Sequence, residues 1–102
     1  MKIISLPRHS GKTARLIQEA HRNGGYIIVH NKTEAERVAK LAVEMDLSIR
    51  FPITYDAFVS QRYHSPGIKC FLIDNAEMLL QSMTNTPIEA ITFTCQMDDN
   101  AP

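Results

Sequence analysis

Gly11, Lys12 and Thr13 are the first residues along the chain whose types and spacing suit a defined chemistry. Glycine tolerates the unusual backbone angles of a tight turn that approaches a ligand, lysine supplies a point charge, and threonine supplies a hard oxygen. Placed where a helix begins, they make an anion site, because the first backbone N–H groups are unpaired and the helix dipole favours negative charge there. Lys12 would meet the outer phosphates of a nucleotide, Thr13 would ligate Mg²⁺, and Gly11 would let the backbone approach a phosphate closely. The apolar pair Ile3-Ile4 precedes the turn and an amphipathic pattern follows it. Strand, turn ending in Gly-Lys-Thr, helix is the layout of a phosphate-binding loop. The usual pattern has a further glycine where this chain has Leu6, and the tripeptide alone also reads as a plain helix start with Thr13 near the cap. The flanking elements favour the phosphate loop.

Asp74 is the second such residue. It ends the apolar run Cys70-Phe71-Leu72-Ile73 and is followed by Asn75-Ala76-Glu77-Met78-Leu79-Leu80, which reads as a helix. A carboxylate at the end of a strand can hold a cation beside a bound phosphate. Glu77 lies about one turn further on. It reads either as a carboxylate acting on the site through water or as a first-turn helix residue favoured by the dipole. Thr94 ends a last apolar run beginning at Ile88.

The elements that must position these residues follow from periodicity. A helix is expected from about Thr13 to Arg22, closed by Asn23-Gly24-Gly25, with Leu16, Ile17 and Ala20 as its apolar stripe. Tyr26-Ile27-Ile28-Val29 is continuously apolar, which suits a central parallel strand covered on both faces. His30, at its end, reads as a strand-end residue with a local hydrogen bond. Thr33 to Glu36 reads as a capping box for a helix that buries Ala35, Val38, Ala39, Ala42 and Met45. Ile49 to Ile53 is expected as a short strand limited by Pro52, and Thr54 as the cap of a short helix. Ser60 to Gly67 is expected as a loop, Thr84 to Pro87 as a turn, and Ile88 to Thr94 as a closing strand. Alternating strands and helices predict an α/β fold of three layers, with a mainly parallel five-stranded sheet between helices. Ligands in such sheets bind beyond the carboxyl ends of the strands, where Gly11, Lys12, Thr13, His30, Thr54, Asp74 and Thr94 all fall.

With 102 residues the chain suits one domain, spanning 1–95, with a short polar tail at 96–102. Eleven basic and eleven acidic residues give zero formal charge, which argues against strong sequence-independent nucleic-acid binding and leaves only a local patch around Lys2, Arg8, Lys12 and Arg15. No apolar run approaches the ~20 residues that span a membrane, and no signal peptide is evident, so an intracellular protein with reduced thiols is expected. Cys70 opens one strand and Cys95 follows another. That places them roughly 15 Å apart, too far for a disulfide. No histidine or cysteine spacing suits zinc. Arg8 and His9 read as solvent-facing, and Tyr63 and Phe51 as packing residues.

Leu6-Pro7-Arg8-His9-Ser10-Gly11-Lys12-Thr13 resembles a Walker A loop, Cys70-Phe71-Leu72-Ile73-Asp74-Asn75-Ala76-Glu77 a Walker B strand, and Ile91-Thr92-Phe93-Thr94 a strand ending in a polar sensor. Together they are similar to the RecA-like and helicase-like P-loop NTPases reduced to one minimal core. The resemblance implies ATP with Mg²⁺ as ligand: Ser10, Gly11, Lys12 and Thr13 on the phosphates, Thr13 and Asp74 on the metal, and Thr94 or Thr92 as γ-phosphate sensor. It also implies a bacteriophage source and a place in the host cytoplasm. The family often has glutamate directly after the aspartate; here it is Asn75, which leaves Glu77 as the candidate catalytic carboxylate. The family also takes an arginine from a neighbouring domain or subunit, for which Arg50 and Arg62 are candidates in trans.

These features imply an ATP-binding protein with weak or partner-dependent hydrolysis, acting in nucleic-acid transactions with a protein partner or further copies of itself. The alternative is a degenerate core kept as a protein-binding module without turnover, favoured by Leu6, Asn75 and the single domain. A small-molecule kinase fits less well, because the chain has little room for a lid and an acceptor pocket.

Overall fold

The computed structural model describes residues 3–7, 11–63 and 67–94. Helix α1 (Lys12–Asn23) leads to strand β1 (Tyr26–Val29), helix α2 (Lys32–Glu44), strand β2 (Ile53–Thr54), helix α3 (Tyr55–Val59), strand β3 (Phe71–Ile73) and helix α4 (Ala76–Ser82). The three strands form one all-parallel sheet in the order β2-β1-β3. Ile28 pairs with Ile53 on one side and with Ile73 on the other.

The central strand carries the core in both directions. Side chains alternate along a strand, so Ile27 and Val29 face one way and Ile28 the other. Ile27 and Val29 pack with Ile17 and Ala20 of α1 and Ala35, Val38 and Ala42 of α2. Ile28 packs with Tyr55 of α3 and Leu79 of α4. Helices therefore cover both faces, as the uninterrupted apolar run at 26–29 predicts. Each fully buried aliphatic side chain contributes roughly 1.5–3 kcal/mol.

Gly24, at φ 68, ends α1 in a left-handed turn and donates its N–H to Ala20 O. Gly25 serves a different purpose. A Cβ built there would lie 2.3 Å from Leu72 Cδ1 and 2.8 Å from Cys70 Sγ, so the missing side chain lets β1 begin close against β3.

The sheet has three strands, not five. Ile3-Ile4 lies in an irregular stretch, and β2 shrinks to two residues between Pro52 and the immediate start of α3. Residues 88–94 form no strand and are exposed. Gln81 of α4 accounts for this: its side chain donates to Thr86 O at 2.9 Å and accepts from Ile88 N at 2.8 Å, drawing the start of that segment onto α4. The cap of α2 also differs. Asn31, with an extended backbone, accepts from Glu34 N at 2.9 Å, so the helix begins two residues before the expected Thr33–Glu36 box and Thr33 lies inside it. Thr54 caps α3 as expected, accepting from Ala57 N.

Tyr63 packs edge-on against Phe71 and Tyr26, whereas Phe51 is exposed rather than packed. Arg62 pairs with Asp56, and the Arg50 guanidinium lies 5.8 Å from the centre of the Tyr26 ring. Cys70 is a free thiol; Cys95, on which the expectation of no disulfide also rests, and the tail at 96–102 lie outside the described residues. No helix among the described residues is long and apolar enough to cross a membrane.

Candidate functional site

Gly11 is the N-cap of α1 with φ 83 and ψ 24, a left-handed conformation that favours glycine. A Cβ at this position would meet nothing within 4 Å, so the backbone angle, rather than crowding, calls for glycine. The first turn of α1 carries no acidic residue and no side-chain cap, which leaves its leading N–H groups free of a capping side chain. Lys12 and Thr13 follow at once and are half-buried. Arg8, His9 and Ser10 lie outside the described residues.

Thr13 then meets a residue 61 positions away. Its hydroxyl donates to Asp74 Oδ2 at 3.4 Å. Asp74 is the buried charged residue of the described core, with only 5 % of its surface exposed. Its backbone is fixed from two sides. Its N–H donates to Ile28 O at 3.0 Å, continuing the β1–β3 ladder, and its carbonyl accepts the Tyr55 hydroxyl at 2.6 Å. The same hydroxyl lies 2.9 Å from Asn75 O. Burial pushes the Tyr55 phenol up to about 12, so it remains a donor at any physiological pH. Asn75 has φ 56, a left-handed turn between strand and helix that an asparagine tolerates better than most residues.

The carboxylate itself is under-supplied. The 3.4 Å approach from Thr13 is longer than an ordinary O–H···O bond, and Asp74 Oδ1 accepts no hydrogen bond among the described residues. Burial raises the pKa of the Asp74 carboxyl; the Thr13 bond and the charges of Arg37 and Lys12 act against that rise, and the charge of Glu34 adds to it. A buried carboxylate beside a hydroxyl, with one oxygen that accepts from no described residue, could hold a cation. The donors are hard oxygens, as Mg²⁺ requires, and Mg²⁺ typically takes only one or two protein carboxylates alongside waters and substrate phosphates. Among the described residues no group of three or more histidines, cysteines, aspartates or glutamates could hold a metal ion by itself. The donor set thus fits a metal that arrives with a phosphate ligand and does not fit a metal cage.

A cavity of about 260 Å³ opens beside Asp74 at the carboxyl ends of β1 and β3, lined by His30, Asn31, Glu34, Asp74, Asn75 and Met78. Glu34 was not among the residues singled out by the sequence. The two-residue shift of the α2 cap puts it at the third position of the helix, where its N–H is held by Asn31 and its carboxylate by Arg37, whose Nη2 donates to Oε2 at 2.8 Å. The hydrogen bond from Arg37 lowers the pKa of the Glu34 carboxyl below its ordinary value. The signal available in the sequence was Asn31 three residues before a glutamate, in competition with the threonine-led box that begins at Thr33. His30 tilts against the Tyr55 ring, with 5.5 Å between centroids, and its Nδ1 lies 3.5 Å from the Asn31 side-chain nitrogen, consistent with the local bond expected of it.

Glu77 is exposed on the first turn of α4 and lines a groove with Leu80, Gln81 and residues 88–91, which adjoins the Asp74 cavity at Met78. Thr92 and Thr94 are exposed in the irregular segment and make no hydrogen bond to Thr13 or Asp74. The structure joins Thr13 to Asp74 by a hydrogen bond, brings the Lys12 charge to bear on the same carboxylate and places Glu34 on the cavity beside it, while the charge of Glu77 acts on the Tyr55 phenol that holds Asp74 O. No model of a known protein family, no curated protein and no solved structure matches the chain.

Proposed function

We propose that this protein is a minimal P-loop nucleotide-binding domain that takes a nucleoside triphosphate with Mg²⁺ at Gly11, Lys12, Thr13 and Asp74. The observation that carries the proposal is the meeting of Thr13 Oγ1 with the buried Asp74 carboxylate across 61 residues of chain, at the start of a helix led by a left-handed glycine. Two residues of these types, brought together at the carboxyl edge of a parallel sheet, suit a bound Mg²⁺–phosphate unit better than a structural role. Most buried polar side-chain atoms have a hydrogen-bond partner, and Asp74 Oδ1 accepts from no described residue.

In this reading the free N–H groups at the start of α1 and the Lys12 ammonium hold the phosphate oxygens. The Thr13 hydroxyl and the Asp74 carboxylate hold the metal, which when bound supplies positive charge to the terminal phosphate. Tyr55 fixes the peptide on which Asp74 stands. The three-layer arrangement around three parallel strands is then a reduced form of the P-loop fold. Turnover is slow unless a partner completes the site, and the ligand class connects the protein to nucleic-acid transactions.

The test is calorimetric titration of ATP·Mg²⁺ into the wild type and Lys12→Ala. The lysine makes a charge-assisted contact worth about 1.5–3 kcal/mol, so the variant binds at least about tenfold more weakly. Equal affinities, or no binding by the folded wild type, refute the reading.

A second reading, a binding module without turnover, is favoured by one observation: the groove between α4 and residues 88–91 is edged by exposed apolar side chains, and Phe93 beyond it is 62 % exposed. A folded protein whose melting temperature does not respond to any nucleotide would support that reading.

A further inference from the structure

The groove between α4 and residues 88–91, we propose, docks an amphipathic basic helix of a partner protein, whose apolar face enters the groove while its lysines or arginines meet Glu77 and Glu89. The proposal rests on the binding reading of that groove, names the chemistry of the partner, and needs no nucleotide at Lys12. The groove encloses about 360 Å³ and is lined by Glu77, Met78, Leu80, Gln81 and residues 88–91. Its apolar side chains are left to solvent. Leu80 is 42 % exposed and Ile91 50 %, while Met83 at the end of α4 and Phe93 beyond Ile91 are each 62 % exposed. Isolated apolar side chains are ordinary on a surface, but a contiguous set around a groove marks a place for a partner.

Charge decides which partner. No lysine or arginine lines the groove, and neither Glu77 nor Glu89 forms an ion pair with a described residue. The bias extends along the chain. All eleven lysines and arginines lie at or before Lys69, whereas from Cys70 onward there are five acidic residues, Asp74, Glu77, Glu89, Asp98 and Asp99, and no basic one. The zero net charge thus divides into a basic first part and an acidic last part, and the groove belongs to the acidic part. A basic segment is drawn toward such a surface and an acidic one is repelled. The chain's own tail at 96–102 carries Asp98 and Asp99, the same sign as the groove, which disfavours it as the occupant.

The dimensions suit a helix. At 1.5 Å per residue the seven residues of α4 run roughly 10 Å, the distance between residues i and i+7 of a docked helix. Glu77, Leu80 and Gln81 stand at i, i+3 and i+4, so they share the face of α4 that borders the groove. The opposite wall is held before any partner arrives, because Gln81 Nε2 donates to Thr86 O at 2.9 Å and its Oε1 accepts from Ile88 N at 2.8 Å. A preset wall lowers the ordering cost of binding. Apolar anchors at i, i+3 or i+4, and i+7 then lie between Leu80 and Ile91, the usual way in which a helix occupies a groove.

The experiment titrates the full chain, without nucleotide, into three fluorescently labelled peptides of about four helical turns and reads anisotropy. One peptide has leucines at i, i+3, i+4 and i+7 and lysines elsewhere. The second has the same composition with its leucines spread round the helix, and the third has glutamate in place of each lysine. The first should bind at least about tenfold more tightly than either of the others. The double variant Glu77→Lys, Glu89→Lys and the single variant Ile91→Asp should each weaken that binding at least about tenfold, and raising salt from about 50 to about 300 mM should weaken it several-fold. The three substituted residues are exposed, and thermal melts check that both variants fold. Equal binding of the three peptides, no binding of the first, or an affinity that survives both variants overturns the proposal. So does a chain that self-associates in sedimentation and turns monomeric with Ile91→Asp, which makes a second copy the occupant, or a peptide of residues 95–102 that displaces the basic one, which makes the tail the occupant. Because no nucleotide is present, failure here leaves the phosphate loop standing, and failure of ATP·Mg²⁺ to bind leaves the groove standing.

Discussion

Replacing Tyr55 by phenylalanine removes a single oxygen and leaves the buried ring in place. The ring packs with Ile28 and Leu79 and only 3 % of the residue is exposed, so the substitution opens no large cavity. What is lost is the hydroxyl that donates to Asp74 O at 2.6 Å and lies 2.9 Å from Asn75 O. Asn75 O also accepts from Met78 N at 2.8 Å and keeps a partner. Asp74 O gives up its bond in a buried setting, and leaving a buried carbonyl without a donor costs about 1–3 kcal/mol. For a domain of this size each kcal/mol moves the midpoint by about 4–8 °C, so the melting temperature should fall by roughly 5–20 °C. The assay is a thermal melt followed by circular dichroism, with Tyr63→Phe as the control. Tyr63 packs through its ring face and edge, and its variant should stay within about 0.5 kcal/mol of wild type. The same substitution frees the peptide that carries Asp74, so ATP·Mg²⁺ affinity should fall even at temperatures where the variant is folded. A Tyr55→Phe variant that melts with the wild type and binds nucleotide equally well would refute the argument that this hydroxyl holds the Asp74 turn.

Two further predictions concern the carboxylate and the cap. The folded-state pKa of Asp74 is raised, so its contribution to stability is fully present below its ordinary value of 3.8 and is lost as pH rises through the folded value. Asp74→Asn should therefore gain stability relative to the nucleotide-free wild type across that window and hold a constant advantage at neutral pH, while losing Mg²⁺-dependent nucleotide binding; melting temperatures between pH 3 and 8 in about half-unit steps test it, and a difference that shrinks with rising pH contradicts it. Asn31→Ala removes the side chain that accepts from Glu34 N and should cost about 0.5–2 kcal/mol, whereas Thr33→Ala should cost less than about 0.5 kcal/mol; the reverse order in denaturant melts would restore the threonine cap.

The sequence by itself determined the central strand, the helices and the stop at Gly24, because each rests on a short-range pattern. Four apolar residues at 26–29 need cover on both faces wherever they sit, and Thr54 caps whatever helix follows it. It also marked Gly11, Lys12, Thr13 and Asp74 by residue type. Tertiary structure alone decided which of the marked residues meet. Thr13 and Asp74 are joined through the β1–β3 ladder and the packing of α1 on β1, a pairing across 61 residues that no local pattern encodes. Two competing caps two residues apart decided whether Glu34 or Glu36 would take the third position of α2 and give its N–H to the cap, and the Asn31 geometry settled it in favour of Glu34, which lines the cavity. Strand propensity misled at 88–94 for a related reason. Ile, Thr and Phe favour a strand, but a strand needs a ladder partner, and the two Gln81 hydrogen bonds hold the start of the segment against α4 instead.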